Sequence, residues 1–201
     1  VVRVLVKEIV DHSVKVDMSW RDFESIYHIT NTLLIGYQTV LWKVLGRGMG
    51  AMEQLLIREF GEMLAELTNH LERRESGQSL FEKHGVEDLE VLIKAYLEKL
   101  GIARDVKVEK LEAIEKYGRL LERFKIEIRD SVFLPTHIVL RKRGIEEFPL
   151  SPEGLLIAAV IKRALQHGRG DESVRVKVDA FLPEREGDPL VVIVEEVHPL
   201  R

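Results

Sequence analysis

Residues 151–197, "SPEGLLIAAVIKRALQHG" and, after a short break, "VRVKVDAFLPEREGDPLVVIVEEV", constrain this chain more than any other stretch. Ser151 stands where an N-cap hydroxyl is wanted, Pro152 occupies the first helical position, and Gly168 predicts the stop. The run after it alternates apolar and polar residues on both sides of Glu186, Gly187 and Asp188, which predicts two strands about a turn. A chain that closes with a capped helix and a hairpin mixes the two element types and needs a core that serves both.

The earlier residues supply the rest of that core. Residues 2–18 alternate in "VRVLV" and "VKVDM" around "DHS", a hairpin pattern. From Ser19 onward Phe23, Ile26, Tyr27, Thr30, Leu33, Leu34, Tyr37, Leu41, Val44 and Leu45 recur at helical spacing and predict a long helix that buries this face. A second helix follows in "AMEQLLIREFGEMLAELTNHL", with Leu55, Leu56, Phe60, Met63, Leu64 and Leu67 in the same rhythm. Residues 72–85 are polar and read as a connection. Residues 86–100 read as a helix stopped by Gly101. Residues 105–131 carry both helical charge spacing and strand alternation; two strands joined near Tyr117 and Gly118 fit better. Residues 132–148 read as irregular, with a short strand at "HIVL". With no repeat or low-complexity tract, one domain over 1–201 is expected: a hairpin at 1–18, a helical pair at 19–71 and an α+β portion at 86–201.

Composition narrows the function classes. The 201 residues are 45% hydrophobic with a net charge of −4 and a pI near 6.0, so no global field favours nucleic acid or an anionic membrane. The absence of cysteine removes disulfides, thiolate metal sites and cysteine nucleophiles. Asparagine occurs only at Asn31 and Asn69, and with the high Glu, Lys and Arg content this leans towards thermophile usage. The first residues lack a long apolar run, so no membrane span is expected there and a cytoplasmic location is.

Local motifs carry little chemistry. "VLGRGMGAM" has the spacing G-x-G-x-G and follows a helix, which fits neither a dinucleotide fingerprint nor a P-loop; its glycines are expected to end one helix and start the next. The seven histidines never fall in H-x-H or H-E-x-x-H, so no local pair holds a metal. Distant segments can still converge, and His137 or His167 against a carboxylate is the arrangement an enzyme would need. No G-x-S-x-G elbow exists. The aromatics of the first helix, Phe23, Tyr27, Tyr37 and nearby Trp42, sit at core spacing.

Four pieces in order over some 150 residues resemble one known family. They are "LGRGMGAMEQLLIREFGEMLAELT", with Gly61 among apolar residues; "LEVLIKAYLEKLGIARDVKVEKLE"; "RFKIEIRDSVF", a strand ending in an acidic residue and Ser; and "PLSPEGLLIAAVIKRAL" with the closing hairpin, whose turn carries Gly187 and Asp188. The order is similar to the 4-vinyl reductase-like, or hydrocarbon-binding, domain family. Its superfamily includes transport protein particle subunits and haem-based nitric oxide binding domains. The resemblance implies an α+β fold with helices packed on one face of an antiparallel sheet, commonly a homodimer. Relatives' cysteines and the haem-binding Tyr-x-Ser-x-Arg signature are absent here, so neither metal nor haem is expected.

The function so implied is non-enzymatic: binding or sensing of a small hydrophobic ligand, with a signalling or assembly partner. Tyr37, Phe60, Gly154, Ala158 and Ala159 are the candidate ligand-binding residues, the last three because small side chains let a ligand approach a helix closely. Tight helix packing is the competing use of the same small residues. A structural or adaptor protein with a filled core is the alternative function.

Overall fold

The computed structural model describes residues 20–46, 49–116, 118–148, 150–185 and 187–197. The expected N-terminal hairpin at 2–18 lies outside them. Two hairpins build the sheet: β1 (Val106–Lys116) with β2 (Arg119–Ile128), and β3 (Arg175–Phe181) with β4 (Leu190–Val197). They join through β2 and β4 in the order β1-β2-β4-β3, antiparallel throughout, with Ile126 opposite Val192 and Val178 opposite Val194. The period-two alternation read from the sequence has its physical counterpart here. Val176, Val178 and Ala180 of β3 and Leu190, Val192 and Val194 of β4 are buried on one face. The other face carries charged pairs such as Arg123 with Glu195 at 2.6 Å and Lys125 with Glu127 at 2.8 Å.

Helices cover the apolar face. The chain runs α1 (Trp20–Leu45), α2 (Met49–Leu56), a π-helical turn (Ile57–Gly61), α3 (Glu62–Ser76), α4 (Leu80–His84), α5 (Leu89–Lys99), then β1 and β2, α6 (Leu134–Lys142), α7 (Pro152–Arg169), β3 and β4. Gly46, at φ +47°, closes α1 as the glycine stretch leads one to expect. The centre of the fold is α7. Ser151 caps it by accepting the Gly154 N–H at 3.1 Å. It continues one residue past the predicted stop at Gly168, to Arg169, with left-handed Gly170 as its cap. The sheet lies on one side of α7 and the π turn on the other, so Leu155, Leu156, Ile157, Val160 and Ile161 are all buried.

The π turn depends on one residue. A Cβ at Gly61 would lie 2.2 Å from the Leu155 carbonyl oxygen and 3.1 Å from the Ala159 methyl group. Only glycine lets the turn approach the α7 backbone this closely. Beside this contact Lys162 meets Glu62 at 2.6 Å and Arg163 meets Glu66 at 2.7 Å, which zips α3 to the more exposed flank of α7.

The free edge of β3 is covered by side chains of α2. The Val178 N–H donates to Glu53 at 2.5 Å, and Gln54 donates to the Val176 carbonyl at 2.5 Å, so two side chains stand in for a neighbouring strand. Burial pushes the Glu53 carboxyl up to about 7, against the lowering effect of the Val178 N–H.

Three expectations need correction. Residues 72–85 are not a plain connection: α3 extends to Ser76, and α4 follows behind a capping box in which Ser79 and Glu82 satisfy each other's backbone N–H groups. Residues 132–148 hold a helix, α6, where an irregular segment and a strand at "HIVL" were expected; Pro135 starts it, and the β-branched pair Ile138 and Val139 sits in a nine-residue helix held by tertiary contacts. The periodic face of α1 does not turn inward as a whole, and the site is built from that difference.

Candidate ligand groove beneath the first helix

Helix α1 turns much of its apolar surface outward. Ile26, Ile29, Leu33, Tyr37, Val40 and Val44 form a stripe along its solvent side, Leu33 being 69% and Val44 74% exposed. Facing inward, Asn31 is 5% and Gln38 only 1% exposed. Leu34 lies between the two faces, and towards the C-terminal end Leu41, Trp42 and Leu45 are half-buried and pack against the core.

The inner margin of the stripe forms one wall of a groove of about 380 Å³. Leu33, Leu34 and Tyr37 come from α1, Phe60 from the π turn, and Phe133 and Pro152 from the starts of α6 and α7. Three aromatic residues and mostly aliphatic neighbours give the groove an apolar lining, with Tyr37 and Thr30 the residues that carry a side-chain hydroxyl. A larger depression, about 570 Å³, opens between α5, β1, β2 and the end of α7. Three of its charged groups meet one another, Lys110 with Glu122 at 3.2 Å and Arg169 with Glu122 at 3.5 Å.

Next to Phe133 and Pro152 in the chain lies a buried polar cluster. Glu153, in the first turn of α7, accepts at one carboxylate oxygen from the Ser131 hydroxyl and from His137 Nε2, the latter at 2.8 Å. Glu153 and the His137 side chain are fully buried. Burial alone would push the Glu153 carboxyl up; the His137 charge and the two hydrogen bonds outweigh it and hold the group below the usual carboxylate range. Its place at a helix N-terminus acts in the same direction. The second cluster ties α1 to α6: Asn31 donates to the Val132 carbonyl at 3.2 Å, and its oxygen accepts from Thr136 at 2.6 Å. Among the described residues Glu153 Oε2, His137 Nδ1 and both amide atoms of Gln38 have no hydrogen-bond partner.

The cluster contains a serine, a histidine and a carboxylate without the order that nucleophilic catalysis needs. Ser131 and His137 both bond to the same oxygen of Glu153, so the carboxylate, and not the imidazole, is the acceptor of the serine hydroxyl. What the arrangement does is fix α6 and the strand-end residue Ser131 to the first turn of α7, and with them the Phe133 and Pro152 wall.

Of the residues singled out from the sequence, Tyr37 and Phe60 meet in the groove. Gly154, Ala158 and Ala159 lie buried within α7 and do not line it; Ala159 touches the space that Gly61 leaves open. The meeting of His137 with Glu153, residues 16 apart, is the convergence of histidine and carboxylate that spacing alone leaves open. Phe133 and Ile102 line the groove without a sequence signal, since both sit in short links between elements. Among the described residues no group of three or more His, Asp or Glu could hold a metal ion.

No family model matches the chain. It is 40% identical over 185 residues to the uncharacterized protein MJ0312 of Methanocaldococcus jannaschii, covering 92% of this chain and 84% of that protein. The chain belongs to the MJ0312 family. Two solved structures are similar to this MJ0312 family member at low identity. The phenol-responsive sensory domain of the transcription activator PoxR, in complex with phenol, matches at 14% identity and TM-score 0.43, over 83% of this chain and 73% of that one. A trafficking protein particle complex subunit 3 from Naegleria fowleri, covalently bound to palmitic acid, matches at 18% identity and TM-score 0.40, over 87% and 99%. No helix among the described residues is long and apolar enough to cross a membrane.

Proposed function

We propose that the chain, residues 1–201 acting as one unit, is a non-enzymatic binding or sensor domain of the 4-vinyl reductase-like, hydrocarbon-binding type that takes a small apolar molecule and works as a homodimer. The observation that carries this reading is the groove: aromatic walls at Tyr37, Phe60 and Phe133, beneath a helix that carries a stripe of outward-facing apolar side chains. Its dimensions suit a molecule of one ring or a short chain. Tyr37 offers that ligand a hydroxyl, while Gly154, Ala158 and Ala159 act from behind by setting how deeply the π turn, and with it Phe60, sits on α7. A bound ligand bridging Tyr37 and Phe60 would tie α1 to the body of the fold, and this is the change that a partner could read.

The test is thermal unfolding of the protein with monocyclic aromatics and with medium-chain fatty acids in excess. A dose-dependent rise in Tm that disappears in Phe60→Ala is the expected result. No rise with any of them would end the apolar-ligand reading. An adaptor role is the second reading, favoured by the part of the α1 stripe that lies beyond the groove, Ile26, Ile29, Val40 and Val44.

A further inference from the structure

Helix α1 carries a stripe that is complementary to itself. Ile26, Ile29, Leu33 and Val40 follow the alternating three-and-four spacing of a helix-pairing seam, with Tyr37 and Val44 beside it. Placed against a second, antiparallel α1 with the twofold axis at Leu33, the stripe pairs in register: Ile26 with the partner's Val40, Ile29 with the partner's Tyr37, and Leu33 with the partner's Leu33. The same axis sets Thr30 opposite the partner's Gly36. Gly36 is exposed in the helix interior, where glycine is a poor helix former, and a Cβ there would meet nothing within 4 Å of this chain. A small residue at a helix crossing lets two backbones come close.

Charge selects the antiparallel sense. Near its N-terminal end α1 carries the exposed Glu24, and in its last turn the exposed Lys43. An antiparallel pair sets acidic end against basic end and opposes the two helix dipoles; a parallel pair does neither. The stripe from Ile26 to Val44 is about 27 Å long at the helical rise. Its six side chains offer on the order of 600 Å² of exposed surface per copy, so the pair exceeds the roughly 1,000 Å² total that a specific interface needs.

We infer that two copies of this chain pair through an antiparallel α1–α1 contact centred on Leu33, and that each partner's α1 roofs the other copy's groove. Leu33 and Tyr37 belong to both features, the groove wall and the seam. The groove is therefore half of a site that the second copy completes, and ligand binding and pairing are linked. The roof rests on the binding proposal above; the α1 pairing stands without it.

The chain has no cysteine, so each introduced thiol is the only one, and oxidative cross-linking reads distance directly. Leu33→Cys alone is expected to give a covalent dimer under mild oxidation. Ile26→Cys mixed with Val40→Cys is expected to give a heterodimer, while Ile26→Cys alone is not. Cross-linking of Ile26→Cys with itself would show a parallel pair and overturn the inference, and failure of Leu33→Cys to cross-link would overturn it too. The roof is tested on Ile29→Asp, a seam residue that is exposed in the single copy and does not line the groove: a monomer on a sizing column that retains its far-ultraviolet spectrum and binds 1-anilinonaphthalene-8-sulfonate at least tenfold more weakly is expected. A folded monomer that binds this probe as tightly as the unsubstituted dimer would overturn the roof. If the Leu33→Cys dimer forms and no apolar probe binds the unsubstituted protein at all, the ligand reading falls and the pairing stands.

Discussion

Around α7 every residue from Gly154 to Ile161 is buried whichever side of the helix it occupies, whereas along α1 large apolar side chains face outward and the amides of Asn31 and Gln38 face inward. The first helix is what a core requires: its surroundings supply apolar contacts on several sides and a π turn brought close by Gly61. Helix α1 anchors only its C-terminal part through apolar contacts, with Leu41, Trp42 and Leu45 packed against the core, and is otherwise held to α6 by Asn31 and by Arg143, which donates to Thr39 at 2.9 Å. The contrast separates the residues that hold the fold from those available for binding. Substitutions around α7 should act on stability, and substitutions on the α1 stripe should act on association and ligand.

The largest expected effect tests the α7 side. Glu153→Ala leaves His137 and Ser131 buried without their acceptor and should cost about 3–5 kcal/mol in urea unfolding. Its pH dependence has a definite sign. The folded-state carboxyl is held below its unfolded value, so its contribution is present above roughly pH 4.3 and is lost as pH falls through the lower folded value. The substituted protein should therefore show a flatter acid limb. A loss below 1 kcal/mol would remove the cluster's role in fixing the groove wall.

Gly61→Ala comes next, at about 3 kcal/mol, the upper part of the range for overpacking, because the added methyl group meets backbone and not a movable side chain. A midpoint in urea unchanged from the parent would contradict the close approach of the π turn to α7. The third effect is smaller and opposite in its pH direction. Glu53 has a folded value raised to about 7, so the folded state binds its proton more tightly than the unfolded state does. Stability should fall as pH rises from roughly 4.3 to 7 on this account, and Glu53→Gln should remove that slope and stabilise the protein at pH 8 on the order of 1–2 kcal/mol. An unchanged slope would show that the β3 edge does not bury this carboxylate.

The smallest effect belongs to the α1 stripe. Val44→Lys should leave the unfolding free energy of the dissociated chain within about 0.5 kcal/mol, while lowering the association constant. A large loss in the dissociated chain would mean that the stripe is core, and the contrast between the two helices would collapse.

The difference between the helices also explains how far the sequence could be read. The α7 signals are local: Ser151, Pro152 and an apolar run give the start and the type without knowledge of neighbours. The two hairpins were legible for the same reason, with alternation on both sides of Gly118 and Gly187. For α1 the periodicity gave the helix and its apolar face correctly but not the direction of that face, since spacing says which residues share a side and not what covers it. Helix α6 was missed because Pro135, Ile138 and Val139 speak locally against a helix, and the contacts that hold it, Thr136 to Asn31 and His137 to Glu153, reach 105 and 16 residues along the chain. The rarity of asparagine was visible, its meaning was not. Asn31 joins α1 to α6, and Asn69 accepts at 2.9 Å from the Tyr96 hydroxyl and at 3.1 Å from the Leu80 N–H, so both amides are buried ties between elements. Tyr37 and Phe60 were identified as binding candidates, and the groove joins them through a fold contact that no spacing between positions 37 and 60 encodes.

The central claim is that the outward face of α1 and its groove form the binding surface, and native mass spectrometry of the purified protein, followed by organic extraction, tests it most directly. The account predicts a species of twice 23.1 kDa that carries a small apolar compound, or takes one up on addition, with the compound lost in Phe60→Ala. A single-chain species of 23.1 kDa that neither carries nor takes up such a compound would contradict it.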